Sequence, residues 1–250
     1  MSGHSKWSQI KRQKGANDAK RGATFTKVAR EITIAAREGG GDPDANYRLR
    51  LAVEKARSVN MPADNIKRAI ERAAGGSAVE QYEEIIYEGY GPGGVAILVE
   101  AATDNRNRTV ADVRSLFTRA GGQLAGAGAV AWQFEPRGLI VVPRDGQDPD
   151  SVALTAIDAG ADDVDVESDP LEIMTDPPHL EGLRRTLEQA GVTVESAEVA
   201  MQPKTPIEVD ENVARQNLRL MESLEDLDDV QRVTANFDLP AEILAEAVSA

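Results

Sequence analysis

The 250-residue sequence contains no cysteine. A disulfide framework and a thiolate metal site are therefore excluded, and the composition fits a reducing cytoplasm. Histidine is nearly absent: His4 and His179 are the only two. A two-histidine metal site or a Ser/His/Asp triad would need them set in a polar cluster, and the sequence displays none around either. Long apolar runs are missing too, and no stretch approaches the roughly 20 residues of a membrane span. The opening MSGHSKWSQIKRQKG carries charge with no apolar stretch behind it, unlike a secretory leader. The glycine-rich loop 89–94 (GYGPGG) lacks the Gly-Lys-Ser/Thr ending of a phosphate loop. A strand follows it rather than a helix, so it reads as a turn between strands. These absences lead us to expect a cytoplasmic protein with no catalytic residues, no cofactor, no metal and no membrane partner.

What is present is charge, unevenly placed. The formal net charge is −14, which alone would argue against a polyanionic partner. Yet residues 1–75 hold 16 of the 28 Lys+Arg and only 8 of the 42 Asp+Glu, a net of +8. The other 175 residues hold 12 against 34, a net of −22. A basic module carried by an acidic body is the pattern of a chain that meets nucleic acid. Screening over about 8 Å keeps the body from cancelling the module's attraction. The body instead restricts the directions from which a polyanion can approach.

Periodicity divides the chain. Phe25, Val28, Ala29, Ile32 and Ala36 predict a helix over about residues 16–38, stopped by Gly39-Gly40-Gly41. Leu49, Ala52, Val53 and Ala56 predict a second over 44–58. Pro62 opens a third, with Ile66, Ala69, Ile70 and Ala73 on one face. Strands are expected at 83–90, 95–101 and 130–134. A helix is expected at about 109–120, with Thr109 and Asp112 at capping-box spacing. Residues 138–202 spell βαββαβ, the split pattern of ferredoxin-like folds. A short strand at 207–209, a helix capped by Asp210, a strand at 230–237 and a last helix after Pro240 follow. We therefore expect an α+β protein: a basic N-terminal three-helix module (1–76) and two ferredoxin-like α/β domains, one inserted in the other. Residues 136–203 form the insert, and residues 77–135 plus 204–250 form the discontinuous host. Residues 80–135 alone hold one helix, too little to cover their sheet.

The expected binding residues are Lys6, Trp7, Lys11, Arg12, Lys14, Lys20, Arg21, Lys27 and Arg30, which face only Asp18 among the first 30 residues. The cations would neutralise phosphates, and Trp7 would stack on an unpaired base. Against this stands a plain solvated tail, with Trp7 packed on its own module. Arg106 and Arg108, cations in the acidic body, are a second candidate contact. Against that stands helix capping with local ion pairs. The glycine-rich stretch 121–128 is assigned no chemistry.

Several long motifs then occur in order. They are Gly3-His4-Ser5-Lys6-Trp7, Asp18-Ala19-Lys20-Arg21-Gly22 through Phe25-Thr26-Lys27, and Asn60-Met61-Pro62 with Asn65-Ile66. Glu88-Gly89-Tyr90-Gly91-Pro92-Gly93-Gly94 and Thr103-Asp104-Asn105-Arg106-Asn107-Arg108-Thr109 follow. Along essentially its whole length the chain resembles the YebC family. One departure is Gly126-Ala127-Gly128-Ala129-Val130, where the family more often ends Gly-Ser-Val. The resemblance implies three domains. It also implies a cytoplasmic, DNA-binding transcriptional regulator of the bacterial type, or a translation factor. A mitochondrial relative is described as a translational activator, and members are linked to ribosomes and to proline-rich stretches.

Three functions compete on this reading. The first is a DNA-binding transcriptional regulator, although no helix-turn-helix signature or base-reading set of Arg, Asn or Gln is visible. The second is an RNA- or ribosome-binding translation factor, with the acidic body meeting basic ribosomal proteins. The third is an acidic protein-interaction scaffold with an incidental leader.

Overall fold

The computed structural model describes residues 18–74, 82–240 and 243. Its N-terminal helices are α1 (Asp18–Gly39), α2 (Tyr47–Ser58) and α3 (Ala63–Ala74). There follow β1 (Glu83–Tyr90), β2 (Ala96–Thr103), α4 (Arg106–Arg119) and β3 (Gln123–Leu124). Next come β4 (Phe134–Val142), α5 (Pro149–Asp158), β5 (Asp163–Asp165), β6 (Leu171–Thr175), α6 (Leu180–Gln189) and β7 (Ser196–Pro203). The described elements end with α7 (Glu211–Glu225) and β8 (Val230–Ala235).

The apolar stripes of the three helices meet in one core. Val28, Ile32, Ala35 and Ala36 of α1 pack on Leu49, Ala52, Val53 and Ala56 of α2 and on Ile66 and Ala69 of α3. The alanines leave little bulk between the helices. α2 starts at Tyr47, three residues later than Asp44, because Asn46 is its cap. The Asn46 Oδ1 accepts from Leu49 N at 3.1 Å, and its Nδ2 donates to Ala35 O and Gly40 O at 2.8 Å each.

Two four-stranded antiparallel sheets form the rest, ordered β3-β1-β2-β8 and β5-β6-β4-β7. The second sheet comes wholly from residues 134–203 and has the split βαββαβ order, with α5 and α6 covering it. In sequence these residues lie between β3 and β8 of the first sheet. The protein is α+β. The first sheet is built in a different chain order from the second. Its β1 and β2 pair as a hairpin in register from Glu83↔Thr103 to Tyr90↔Ala96. α4 then crosses to the edge strand β3, and α7 leads into β8.

Residues 130–134 do not make a separate strand. Residues 131–133 are a 3₁₀ turn, and β4 begins at Phe134 and runs unbroken to Val142. The 207–209 segment contributes one parallel bridge, Ile207↔Phe237. Of the helix expected after Pro240, only Ile243 is described, buried in the first sheet's core; the remainder lies outside the described residues.

β2 explains why its sequence is apolar without alternation. Ile97, Val99 and Ala101 face α4 and α7, where Val113, Phe117, Leu220 and Leu224 are buried. Ala96 and Leu98 face Val130, Phe134 and Met201 on the other side. Both faces are covered, and each fully buried Val, Leu or Ile contributes about 1.5–3 kcal/mol. The 89–94 loop is structural. A Cβ at Gly91 would sit 2.1 Å from Asn217 Oδ1, and one at Gly89 would sit 2.6 Å from Phe117. Backbone approach, not anion binding, requires those glycines.

Candidate nucleic-acid interface

The expected contacts divide sharply by location. Lys6, Trp7, Lys11, Arg12 and Lys14 lie outside the described residues, as do the side chains of Lys20 and Arg21 in the first turn of α1. Lys27 and Arg30 follow on the same helix, and the structure turns both inward. Lys27 Nζ donates to Glu225 O at the end of α7. Arg30 is buried and donates through Nη1 to Ala102 O at 2.7 Å, Asp228 O at 2.8 Å and Asp229 Oδ1 at 3.2 Å. Its guanidinium also lies 4.7 Å from the Tyr82 ring centroid. A cation so enclosed is not offered to a phosphate. It docks the helical module onto the first sheet.

The 104–109 segment converges on the same carboxylate. Asp229 Oδ2 accepts from Arg108 Nη2 at 2.7 Å, Thr109 Oγ1 at 2.7 Å and Thr103 Oγ1 at 3.1 Å. Burial pushes the Asp229 carboxyl up, but these bonds from Thr109, Arg108 and Thr103, with the Arg108 charge, hold it below the usual carboxylate range. Hydrogen bonds to Asp229 and Asp104 raise the Arg108 guanidinium in turn. Thr109 is therefore a buried partner of Asp229, not a cap. The cap of α4 is Asn105, whose side chain accepts from Arg108 N at 3.1 Å, and the helix begins at Arg106. Arg106 stays exposed, 3.7 Å from Glu83. Two separately chosen cations, Arg30 and Arg108, thus meet on one buried acid that local sequence does not single out.

Other cations remain available on α3. Arg68 and Arg72 stand one turn apart on its outer face, exposed, and neither pairs with a carboxylate among the described residues. With Thr26, Ala29, Met61 and Asn65 they line a groove of about 270 Å³ between α1 and α3. The i, i+4 spacing of two arginines opposite the Ile66–Ala69–Ala73 stripe is the signal that marks this face in the sequence.

A larger cleft of about 830 Å³ lies between the helical module and both sheets. Glu31, Glu54, Glu84, Glu100, Glu188, Glu195 and Glu198 line it, against Arg48, Lys55, Arg184 and Arg232. Most of these charges are internally paired: Lys55 lies 2.9 Å from Glu31, and Arg184 lies 3.3 Å from Glu54 and 3.0 Å from Glu188. Burial raises the Glu100 carboxyl, opposed by Arg232. The excess of acid makes this cleft a poor seat for phosphate despite its size. Among the described residues no cluster of three or more potential ligand side chains could hold a metal ion. No described helix is long and apolar enough to cross a membrane.

Family models describe both parts of this arrangement. The TACO1/YebC N-terminal domain matches residues 5–76, and the TACO1/YebC second and third domain matches residues 82–237. The chain belongs to the TACO1/YebC family. A relative from Chloroflexus aurantiacus is 57% identical over 248 residues, covering 98% of each chain. One from Rubrobacter xylanophilus is 53% identical over 247 residues, covering 98% of this chain and 99% of its own. Each is described as a "probable transcriptional regulatory protein". The crystal structure of a conserved hypothetical protein from Aquifex aeolicus superposes with a TM-score of 0.86 at 46% identity. It covers 91% of this chain and 94% of its own.

Proposed function

We propose that this protein is a non-enzymatic regulator of gene expression that grips nucleic acid through its basic N-terminal module. The carrying observation is the partition of charge, +8 over residues 1–75 against −22 beyond. The family's description as transcriptional regulators supports the role. The contacts assigned are Lys6, Lys11, Arg12, Lys14, Lys20 and Arg21, with Trp7 as a stacking residue and Arg68 and Arg72 extending the surface along α3. Arg30 and Arg108 are excluded from that set by their bonds to Asp229, and Lys27 by its bond to α7. Arg106 is kept as the exposed cation of the body.

DNA is the target on the first reading, that of a cytoplasmic transcriptional regulator. A phosphate-led grip of this kind positions the protein but carries little base information. That favours a second reading, an RNA- or ribosome-bound translation factor whose acidic body meets basic proteins. The test is a salt series on the full chain with duplex DNA and with single-stranded RNA. Replacing Lys6, Lys11, Arg12 and Lys14 by Ala is expected to weaken binding. It should also flatten the log–log salt slope by about 0.9 per lost contact on duplex DNA and about 0.7 on single strands. In-cell crosslinking then reads which nucleic acid is held. No binding to either polymer at physiological salt, or a quadruple variant that binds like the parent, sinks the proposal.

A further inference from the structure

The body carries one bare aromatic ring on a rigid mount. Trp132 is 68% exposed, the largest such value among the exposed large apolar side chains of the described residues. Exposure of a single ring is ordinary in itself. Here, however, the segment beneath it is fixed from several directions. Trp132 Nε1 donates to Ala129 O at 3.1 Å, and Tyr90 Oη donates to the same oxygen at 3.0 Å. The Glu88 carboxylate accepts from Gly128 N at 2.6 Å, Val130 N at 2.7 Å and Ala131 N at 2.8 Å. Lys204 Nζ donates to Trp132 O at 2.9 Å, placing an exposed ammonium beside the ring's own backbone. The indole N–H is used internally, so what the side chain offers outward is its aromatic surface.

The chemistry around the ring selects the occupant. Residues 113–134 contain no Asp or Glu and two arginines, Arg114 and Arg119, within a strongly acidic body. The Glu88 carboxylate that holds the loop is buried and engaged by three backbone N–H groups. The other exposed large apolar residues, Ile86, Leu154, Ile157 and Val199, lie on β1, α5 and β7, away from this loop in the chain. A protein-docking anchor is expected to sit within an apolar cluster. The apolar chain neighbours of Trp132, Val130 and Phe134, are buried, and its remaining neighbours are glycine, alanine, glutamine and a lysine. A flat π surface with a cation held on the same segment suits a stacked base with its phosphate.

We propose that the 126–133 loop is a base-stacking platform: Trp132 stacks on an unpaired base of a single-stranded nucleic acid, and Lys204 meets the adjoining phosphate. This rests on the nucleic-acid reading above and gives the body its own contact, separate from the basic module. The assignment requires an unpaired base, so duplex should not engage the ring.

The experiment uses the full chain with Trp7→Phe, which leaves Trp132 as the sole tryptophan of the two. Its fluorescence is titrated with oligouridylate, with oligodeoxythymidylate and with a mixed-sequence duplex, each about ten nucleotides long. Single strands are expected to quench Trp132 and the duplex to leave it unchanged. Preference between the two single strands tells RNA from DNA. In the otherwise native chain, Trp132→Ala should weaken single-strand affinity about tenfold with an unchanged salt slope, since a stacked ring carries no charge. Trp132→Phe should recover part of the loss, and Lys204→Ala should flatten the slope by about 0.7. Unquenched Trp132 with native affinity in Trp132→Ala overturns the platform. So does a Trp132→Ala variant that binds normally but sediments differently, which would make the ring a protein contact. Should the native chain bind no nucleic acid at all, the proposed function itself fails. Loss on the leader substitutions alone removes only the platform.

Discussion

At the scale of single residues, the structure turns on Asp229. It gathers two arginines and two threonines from elements far apart in sequence, and it is almost fully buried. Replacing it with Asn preserves shape but leaves Arg30 enclosed without a counter-charge. Breaking such a pair from one side costs about 3–5 kcal/mol, and the half-exposed Arg108 places this case toward the low end. The pH dependence has a definite sign. The carboxyl is held lower in the folded protein than in the unfolded chain, so the unfolded state binds the proton more readily. Its stabilisation is fully present above the unfolded value of about 3.9 and is lost as pH falls through the lower folded value. Urea unfolding of the native chain and Asp229→Asn should show a constant gap from neutral pH down to about pH 4, closing only below it. A gap that closes between pH 7 and 5 would show that another group is responsible.

At the scale of elements, what could be read from the sequence was what depends on neighbours in the chain. The stripes of α1, α2 and α3 follow from spacing alone, as does the βαββαβ order of the second sheet. The places that escaped depend on distant partners. Thr109 has the residue type and spacing of a cap, yet its hydroxyl is bound 120 positions away, and Asn105 takes the capping role. Arg30 has the look of a phosphate contact, yet its partners lie about 70 and 200 positions along the chain. The 126–131 loop offered no chemistry to sequence reading because its organiser, Glu88, sits on β1 within a motif dominated by glycine. Glu88→Gln tests that role. An amide turns one acceptor into a donor facing backbone N–H groups, and hydrogen bonds to a charged acceptor contribute about 1.5–3 kcal/mol each. The amides of Gly128, Val130 and Ala131 should exchange with solvent much faster in this variant, while those of β2 stay protected. Unchanged exchange at those three amides would show that the turn is fixed by its backbone alone.

At the scale of the whole molecule, the question is how a basic module works while attached to an acidic body. The Lys27 and Arg30 contacts fix α1 against the end of β2, the turn before β8 and the end of α7, while Arg48, Arg50 and Lys55 of the module pair with Glu84, Glu181 and Glu198 of the body. The cleft of about 830 Å³ between module and sheets is lined by excess acid, which disfavours a polyanion there. Arg30→Gln separates the two roles this residue can have. As a docking residue, it should leave the salt slope for nucleic acid unchanged, because no phosphate contact is lost. Hydrogen exchange should meanwhile rise across the α1–sheet junction and stability should fall by about 1–3 kcal/mol. As a phosphate contact, it would flatten the slope by about 0.9 on duplex DNA with native exchange at the junction. The buried geometry requires the first outcome. Circular dichroism showing native helix content in the variant keeps the comparison between two folded proteins, so a flattened slope there would return Arg30 to the binding surface and remove the docking role assigned to it.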